Sequence, residues 1–298
     1  MLNLMYHYIF PKSFEKSING IKFTSQEKLR KQIIKLKKKY TFINPEELND
    51  IDARSINKNL CSVTFDDGTK DQFKYAIPVL DEFNIKAFFF IIGSVFDKKI
   101  PNSHLLHFLL NYKSDKYILN KINKIFFKNK LDYNEVYKIS EVYNYEKNKT
   151  RRILKFVLNF KLANNYYQIN QFLINELGKC YNVKDLIDIW FGNKDDIKQA
   201  IKNGHYIGNH TYTHNYYGSI KNIDVIKNDI NQNHELIKKK FNFETRSYCH
   251  PQGGDNGIIN KEVSKYLKSI GYKSCFKAVN SGKIDRMNLP RIDNIYLN

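Results

Sequence analysis

The run Ala87-Phe88-Phe89-Phe90-Ile91-Ile92 constrains this chain more than any other segment. It is apolar throughout and closed by Gly93, so it leaves no polar side for water. A segment of that length is stable as a strand when both of its faces are covered, as in a parallel sheet flanked by helices. Leu60-Cys61-Ser62-Val63-Thr64-Phe65 is a second apolar strand candidate. Between them, Lys70–Phe83 carries Phe73, Ile77, Leu80 and Phe83 at helical spacing. Strand, helix and strand within this length compose a βαβ unit.

The alternation extends in both directions. A strand is expected almost from residue 1, over Leu2–Ile9, followed by a helix over Ser25–Tyr40 and a short strand at Thr41–Ile43. After Trp190 the pattern resumes with a helix over Asp195–Asn203, closed by Gly204, and a strand over His205–Asn209. A helix over Asp224–Lys240, a strand over Thr245–Cys249, a helix over Lys261–Ile270 and a strand over Tyr272–Phe276 follow. Repeated units of this kind argue for a (β/α) barrel or a distorted version of one. Residues 97–190 differ. They are rich in Lys, Asn, Tyr, Leu and Ile at helical spacing and hold no strong strand. They are expected to form a helical insertion within one catalytic domain spanning residues 1–298. His104 and His107 lie three apart there, and the expectation for them is partly buried, neutral imidazoles, since the sequence offers no carboxylate partner.

Bulk properties exclude several classes. A chain of 298 residues with 42% hydrophobic content can build a full core, so disorder throughout is excluded. The formal net charge of +19 is spread widely rather than gathered into one arm. No nucleic-acid partner is therefore expected, and an anionic small substrate fits the charge better. Cys61, Cys180, Cys249 and Cys275 form no CxxC pair, which suggests neither a disulfide framework nor a structural zinc site. The first residues lack a basic leader followed by a long apolar stretch, and no run reaches the roughly 18 apolar residues of a membrane span. A cytoplasmic location is the expectation.

Three polar clusters fall at the C-terminal ends of expected strands, where α/β folds place ligands. The first is Thr64-Phe65-Asp66-Asp67-Gly68. Adjacent carboxylates repel each other unless a cation or a proton is shared, and on a turn after a strand they point in different directions. One can then bind a metal while the other faces the reacting water. The second is His210-Thr211-Tyr212-Thr213-His214, with two imidazoles four residues apart, expected on one side of a helical turn. That pair chelates zinc or another divalent transition metal, and Asp67 can supply a third ligand, leaving a position open for hydrolysis. The third is Tyr248-Cys249-His250-Pro251-Gln252-Gly253-Gly254, a rigid loop whose backbone N–H groups could stabilise an oxyanion.

Together these clusters resemble the polysaccharide deacetylases, carbohydrate esterase family 4, whose fold is a distorted (β/α) barrel. The resemblance covers roughly residues 1–95 and 190–298. Thr64–Gly68 looks like the first family motif. Ala76-Ile77-Pro78-Val79-Leu80 and Ala87–Gly93 look like the next helix and strand, and Asn203–His214 looks like the second motif with its lead-in. The resemblance implies Asp66 as general base and Asp67, His210 and His214 as ligands of one divalent transition metal, with zinc expected. It also implies an oxyanion held by the metal and a backbone N–H near Gln252.

Two departures stand out. Many members carry the acid histidine in a Leu-x-His segment near the C-terminus, yet no histidine follows His250 here. In circularly permuted members a first-strand histidine fills that role, so His7 is assigned as the acid, with His250 second. Many members also hold an arginine where Cys249 stands; Arg291 could replace it, or could make a surface salt bridge. His250, Gln252 and Arg291 are expected on the substrate side. The implied reaction removes an N-acetyl group from an amino sugar, preferably a soluble, nucleotide-linked or lipid-linked sugar of surface-glycan synthesis. The alternatives are hydrolysis of a formyl or cyclic amide on the same metal, and a catalytically dead carbohydrate-binding protein. The insertion is expected to act as a lid or as an oligomer contact.

Overall fold

The computed structural model describes residues 1–16, 21–52, 56, 59–220, 222–253, 258–278 and 285–297. Its centre is a parallel sheet. Strand β1 (Leu2–Tyr6) is followed by a short separate pair, β2 (Ile9–Phe10) with β3 (Thr24–Ser25). The main sheet continues with β4 (Thr41–Phe42), β5 (Leu60–Asp67), β6 (Phe88–Ile91), β7 (Tyr206–Asn209), β8 (Ser247–Cys249) and β9 (Ser274–Lys277). It ends with β10 (Leu289–Pro290) and β11 (Ile292–Asp293). The strand order is β10-β9-β8-β7-β6-β5-β1-β11, with β4 beside the start of β5. One short segment, Leu289–Asp293, pairs with β9 at its beginning and with β1 at its end. The sheet is thereby nearly closed into a ring, the distorted (β/α) barrel expected from the sequence.

Alternation along the strands sorts the side chains. Val63, Phe65, Phe89, Ile91 and Ile207 pack outward against helix residues Leu29, Ile33, Leu80, Ile197 and Ile237. Phe88, Phe90, Tyr206, Cys249, Phe276 and Leu289 form a separate inner cluster. This two-sided burial is why β6 has no polar residue: Phe88, Phe89 and Phe90 are all fully buried, each side chain contributing about 1.5–3 kcal/mol. The inner cluster also dictates Gly208. A Cβ there would stand 2.2 Å from Cδ1 of Phe90. By the same alternation Thr64 and Asp66 on β5 point into the barrel, and the odd-numbered neighbours Val63 and Phe65 point out.

The expected elements are present with shifted ends. The first helix is Gln26–Lys37, capped by Ser25, whose side chain accepts from the Lys28 N–H. The segment after Gly68 runs helically to Glu82 but takes a π-turn over Gln72–Ala76, just before Pro78 in Ile77–Glu82. Between β6 and β7 the chain is helical, with Asn102–Leu109, Asp115–Phe126, Tyr133–Ile139, Lys149–Phe156, Tyr166–Gly178 and Asp185–Trp190. Ser114, Asp132 and Asn148 cap three of these helices with side-chain acceptors. Leu105, Leu109, Ile118, Ile122, Leu154 and Leu173 build a core here that is continuous with Tyr8, Ile92 and Phe191 at the barrel mouth. The helical region is thus packed onto the end of the barrel that carries the polar clusters. Among the described residues no helix is long and apolar enough to cross a membrane, and none of the four cysteines is disulfide-bonded.

Candidate metal centre and active site

Asp66 and Asp67 end β5, and Gly68 turns the chain with φ +69°. A side chain at Gly68 would press on Ile91, 2.8 Å from its Cγ2. Asp67 itself has φ 80°, a left-handed conformation that a non-glycine residue adopts at a cost of about 1–3 kcal/mol. The reversal separates the two carboxylates. Asp66 stays in the barrel, and Asp67 turns toward the loop after β7.

That loop brings both histidines in, but not as a helical turn. Residues 211–216 are not helical, and Thr211 and His214 are both left-handed, with φ 68° and 56°. The His214 N–H donates to Thr211 Oγ1, and the Thr211 N–H donates to Asn209 Oδ1. Asp229, on the helix Ile223–Phe241, accepts from both the N–H and the hydroxyl of Thr213. The rings of His210 and His214 end 4.8 Å apart, centroid to centroid. The two imidazoles thus meet, but not through the helical i, i+4 geometry that their spacing suggests; side-chain anchors to Asn209 and Asp229 shape the loop.

Asp67 Oδ1 is 3.5 Å from His210 Nε2 and 3.3 Å from His214 Nε2. This Oδ1 is buried and has no hydrogen-bond donor. An orphaned carboxylate oxygen facing two imidazole nitrogens fits a divalent cation, because a hard–borderline donor set of this kind satisfies all three atoms at once. All three ligand atoms lie within 4.8 Å of one another. Burial pushes the His214 imidazole down to about 3, so it is neutral and able to ligate. Burial opposes the charge on Asp67 too, but His104 and His214 more than offset it and hold the carboxyl well below its ordinary range. The backbone carbonyl of Cys249 sits 3.0 Å from His210 Nδ1 and accepts its proton, which aims Nε2 at Asp67. Burial opposes a charge on this ring, but Cys249 and Asp66 more than offset it and hold the imidazole well above its ordinary range, so a cation at Nε2 takes the place of a proton.

Asp66 meets a different environment. Arg291 NH1 donates to Oδ1 at 2.6 Å and NH2 to Oδ2 at 2.7 Å, a two-pronged fork inside the barrel. Arg291 also donates to Thr64 Oγ1 and is 2% exposed, so the surface salt bridge is ruled out as its setting. The Cys249 thiol is 3.6 Å from Asp66 Oδ1. Burial would raise the Asp66 carboxyl, but the Arg291 charge, with His210 next, turns the shift downward. Asp66 is thus ionised and oriented. His7, just past β1, places Nε2 3.9 Å from Asp66 Oδ2 with its side chain 40% exposed.

The remaining expected residues are not all gathered here. His250 is buried edge-on against Tyr248, and burial pushes its imidazole down to about 3. No contact joins it to either carboxylate among the described residues. Gln252 is left-handed, with φ 53°; its Nε2 is 3.4 Å from His214 Nδ1, and Tyr143 donates to its Oε1 at 3.3 Å. Gly254 lies outside the described residues. His104, expected to be without a carboxylate partner, does have one: Asp67 Oδ2 is 3.3 Å from its Nε2. No local signal could have shown this, since the two residues come from separate elements. A crevice beside His214 is lined by Ser103, Asn159 and Tyr166 from the helical region and by Gln252.

The family model described as polysaccharide deacetylase matches residues 53–123 and 142–275, more than half of the chain. Solved structures share the fold at low identity. A Streptococcus pyogenes deacetylase, PplD, in complex with acetate has a TM-score of 0.57 and 16% identity over 98% of this chain and 91% of that one. IcaB from Ammonifex degensii gives 0.56 and 16% over 98% and 90%. A de-N-acetylase from Aggregatibacter actinomycetemcomitans gives 0.54 and 14% over 98% and 95%. A search of curated proteins returned no match.

Proposed function

The chain belongs to the polysaccharide deacetylase family, and on that premise we propose that it is a metal-dependent hydrolase that removes the acetyl group from the nitrogen of an amino sugar. The observation that carries this reading is the pairing of an orphaned Asp67 Oδ1 between two imidazole nitrogens with an adjacent carboxylate, Asp66, clamped by Arg291. One carboxylate is free for a cation and the other for a proton. That division of labour is what amide hydrolysis requires.

Asp67, His210 and His214 would hold one divalent ion, with zinc the expected metal, which when bound would supply polarisation of the acetyl carbonyl and a lowered pKa of water. Asp66 takes the proton of the attacking water. Its fork to Arg291 keeps the carboxylate ionised and its oxygens aimed, so the base is in place before substrate arrives. Water oxygen bonds to the carbonyl carbon, and the backbone N–H near Gln252 supports the resulting oxyanion. His7 then gives a proton to the sugar nitrogen as the C–N bond breaks, leaving acetate and a free amine. His7 suits this better than His250. It is close to Asp66 and half open to solvent, whereas His250 is buried and stays neutral down to about pH 3.

The substrate we propose is a soluble, nucleotide-linked or lipid-linked amino sugar, which can be anionic given the net charge of +19. Asp67, His210 and His214 are each at most 9% exposed, under a cover that includes Ser103, Asn159 and Gln252. Such a site suits a terminal or single sugar better than the middle of a long polymer. In this reading residues 1–298 are one catalytic domain, and residues 97–190 are an insertion that shapes the pocket. Two structural neighbours lend support, one described as a de-N-acetylase and one solved with acetate. The test is a panel of N-acetylated sugars and sugar nucleotides, incubated with zinc- or cobalt-loaded protein and read by mass spectrometry. Release of acetate with a matching free amine is expected. Release of formate alone from formylated analogues would move the reading to another amide, and no turnover with no bound metal would sink it.

A further inference from the structure

The helix Asn102–Leu109 reaches the candidate metal centre from the helical region, and two of its side chains touch candidate ligands. His104 Nε2 is 3.3 Å from Asp67 Oδ2, the oxygen that His210 and His214 do not face. His104 is 1% exposed, and its Nε2 has no well-aligned hydrogen-bond partner among the described residues, so its approach to Asp67 Oδ2 is a close ion-pair contact. Its other nitrogen, Nδ1, lies 3.3 Å from Ser103 Oγ, and the same Oγ lies 3.3 Å from His214 Nδ1. Ser103 is therefore shared by an imidazole on the Asp67 side and an imidazole that ligates.

We propose that Ser103 and His104 are positioning residues that tie two metal ligands together through a directed hydrogen-bond relay. The proton directions follow from one requirement. For Nε2 of His214 to bind a cation it must be bare, so the proton of that neutral ring is on Nδ1. That N–H donates to Ser103 Oγ. The Ser103 hydroxyl, having accepted there, donates onward to His104 Nδ1. His104 then carries its proton on Nε2, on the side that faces Asp67 Oδ2 at 3.3 Å. Each proton along the path is used once. The relay leaves Asp67 Oδ1 as the metal-facing oxygen, restrains the carboxylate against rotation and fixes the tautomer of His214. The Gln252 amide nitrogen, 3.4 Å from His214 Nδ1, is itself a donor and accepts nothing from that N–H, which leaves Ser103 Oγ as the acceptor.

The helix that carries the relay is itself anchored. The Tyr8 hydroxyl hydrogen-bonds His107 Nδ1 at 3.1 Å, one turn further along, and Tyr8 directly follows His7. Asn102 Nδ2 donates to the Tyr166 carbonyl, and Tyr166 donates to the Thr213 carbonyl in the ligand loop. A helix held at both ends to segments of the site can orient ligands, which a freely hinged lid could not do. Substrate selection by this region and ligand orientation thus come from the same element.

The inference rests on the metal-centre reading above, and the experiment separates the two. Metal-free protein is titrated with cobalt in competition with a chromophoric chelator, and the visible absorption of the bound cobalt is recorded. Four variants fill or trim the relay. His104→Met fills the space without a donor; His104→Gln can accept from Ser103 and donate to Asp67. Ser103→Ala cuts the relay at its midpoint, and Ser103→Thr keeps the hydroxyl. Loss of an outer partner of this kind costs about 10- to 100-fold in metal affinity. That loss is expected for His104→Met and Ser103→Ala, with a shifted cobalt spectrum, and most of it is recovered in His104→Gln and Ser103→Thr. If the Met and Gln variants bind cobalt equally well, or if both match the wild type, the relay is wrong although the metal centre stands. If the wild type binds no cobalt, the metal reading fails and the relay with it. Thermal melts of the metal-free proteins identify any variant that fails to fold, and the Ser103 pair then decides alone.

Discussion

Asp66 and Asp67 are sequence neighbours, yet the two sides of the barrel mouth treat them differently. On the Asp66 side a guanidinium from the last strand segment, a thiol from β8 and a half-open histidine surround the carboxylate. On the Asp67 side, among the described residues, three imidazoles approach the carboxylate: His210 and His214 from one loop and His104 from the helical region. The first environment fixes a charge and leaves a path to solvent, as a base needs. The second gathers imidazole nitrogens around an oxygen that has no hydrogen-bond donor, as a cation needs. The left-handed turn at Asp67 is the structural cause, because it sends adjacent side chains to opposite walls.

The comparison can be broken most directly at Asp66. Asp66→Asn should retain bound metal and lose about 10²- to 10⁴-fold in turnover, the usual worth of a positioned base; His214→Ala should lose the metal itself. Equal metal loss in both variants, measured by elemental analysis, would erase the distinction between the two sides. Next in size is Arg291→Met. It leaves a buried carboxylate unpaired, which destabilises by about 3–5 kcal/mol in denaturant unfolding. The Asp66 carboxyl lies below its ordinary value, so its contribution to stability is present above the unfolded carboxylate pKa near 3.9 and is lost as pH falls through the lower folded value. Removing the Arg291 charge raises the Asp66 pKa. The acidic limb of kcat/KM in Arg291→Met should then move to higher pH, and an unmoved limb would show that Arg291 does not act on the base.

His7→Gln tests the solvent side. A loss of about 10²-fold is expected, with less loss on substrates whose leaving amine is more acidic. Full activity would remove His7 as the acid. The smallest effect is expected at Cys249. Cys249→Ser exchanges a weak thiol donor for a hydroxyl beside Asp66, and the change in stability should stay under about 1 kcal/mol. A larger loss would mean that the thiol, standing where related motifs carry arginine, contributes more to the base than its 3.6 Å contact suggests.

Much of this was legible before any coordinates. The buried strand Phe88–Ile91 reads as parallel sheet because no residue in it can face water, and the strand–helix rhythm around it specifies the barrel. Asp66, Asp67, His210 and His214 could be singled out as candidates because an acidic pair and two close imidazoles each follow an apolar strand, at the strand ends where α/β folds place ligands. Spacing misled on the backbone of the His210–His214 segment, since left-handed residues at Thr211 and His214 depend on Asn209 and Asp229, which a local pattern does not register.

By itself, then, the sequence determined the fold class, the strand ends that carry chemistry and the residue types available for a metal and a base. Those depend on local periodicity and on the cost of burying charge. The tertiary structure alone decided which groups meet across the chain. Arg291 reaches Asp66 because Leu289–Asp293 closes the ring between β9 and β1. His104 reaches Asp67 because a helix packed by Leu105, Leu109 and Phe191 is laid over the mouth. Contacts between residues far apart along the chain are set by packing of whole elements, and the nearby sequence carries no record of them.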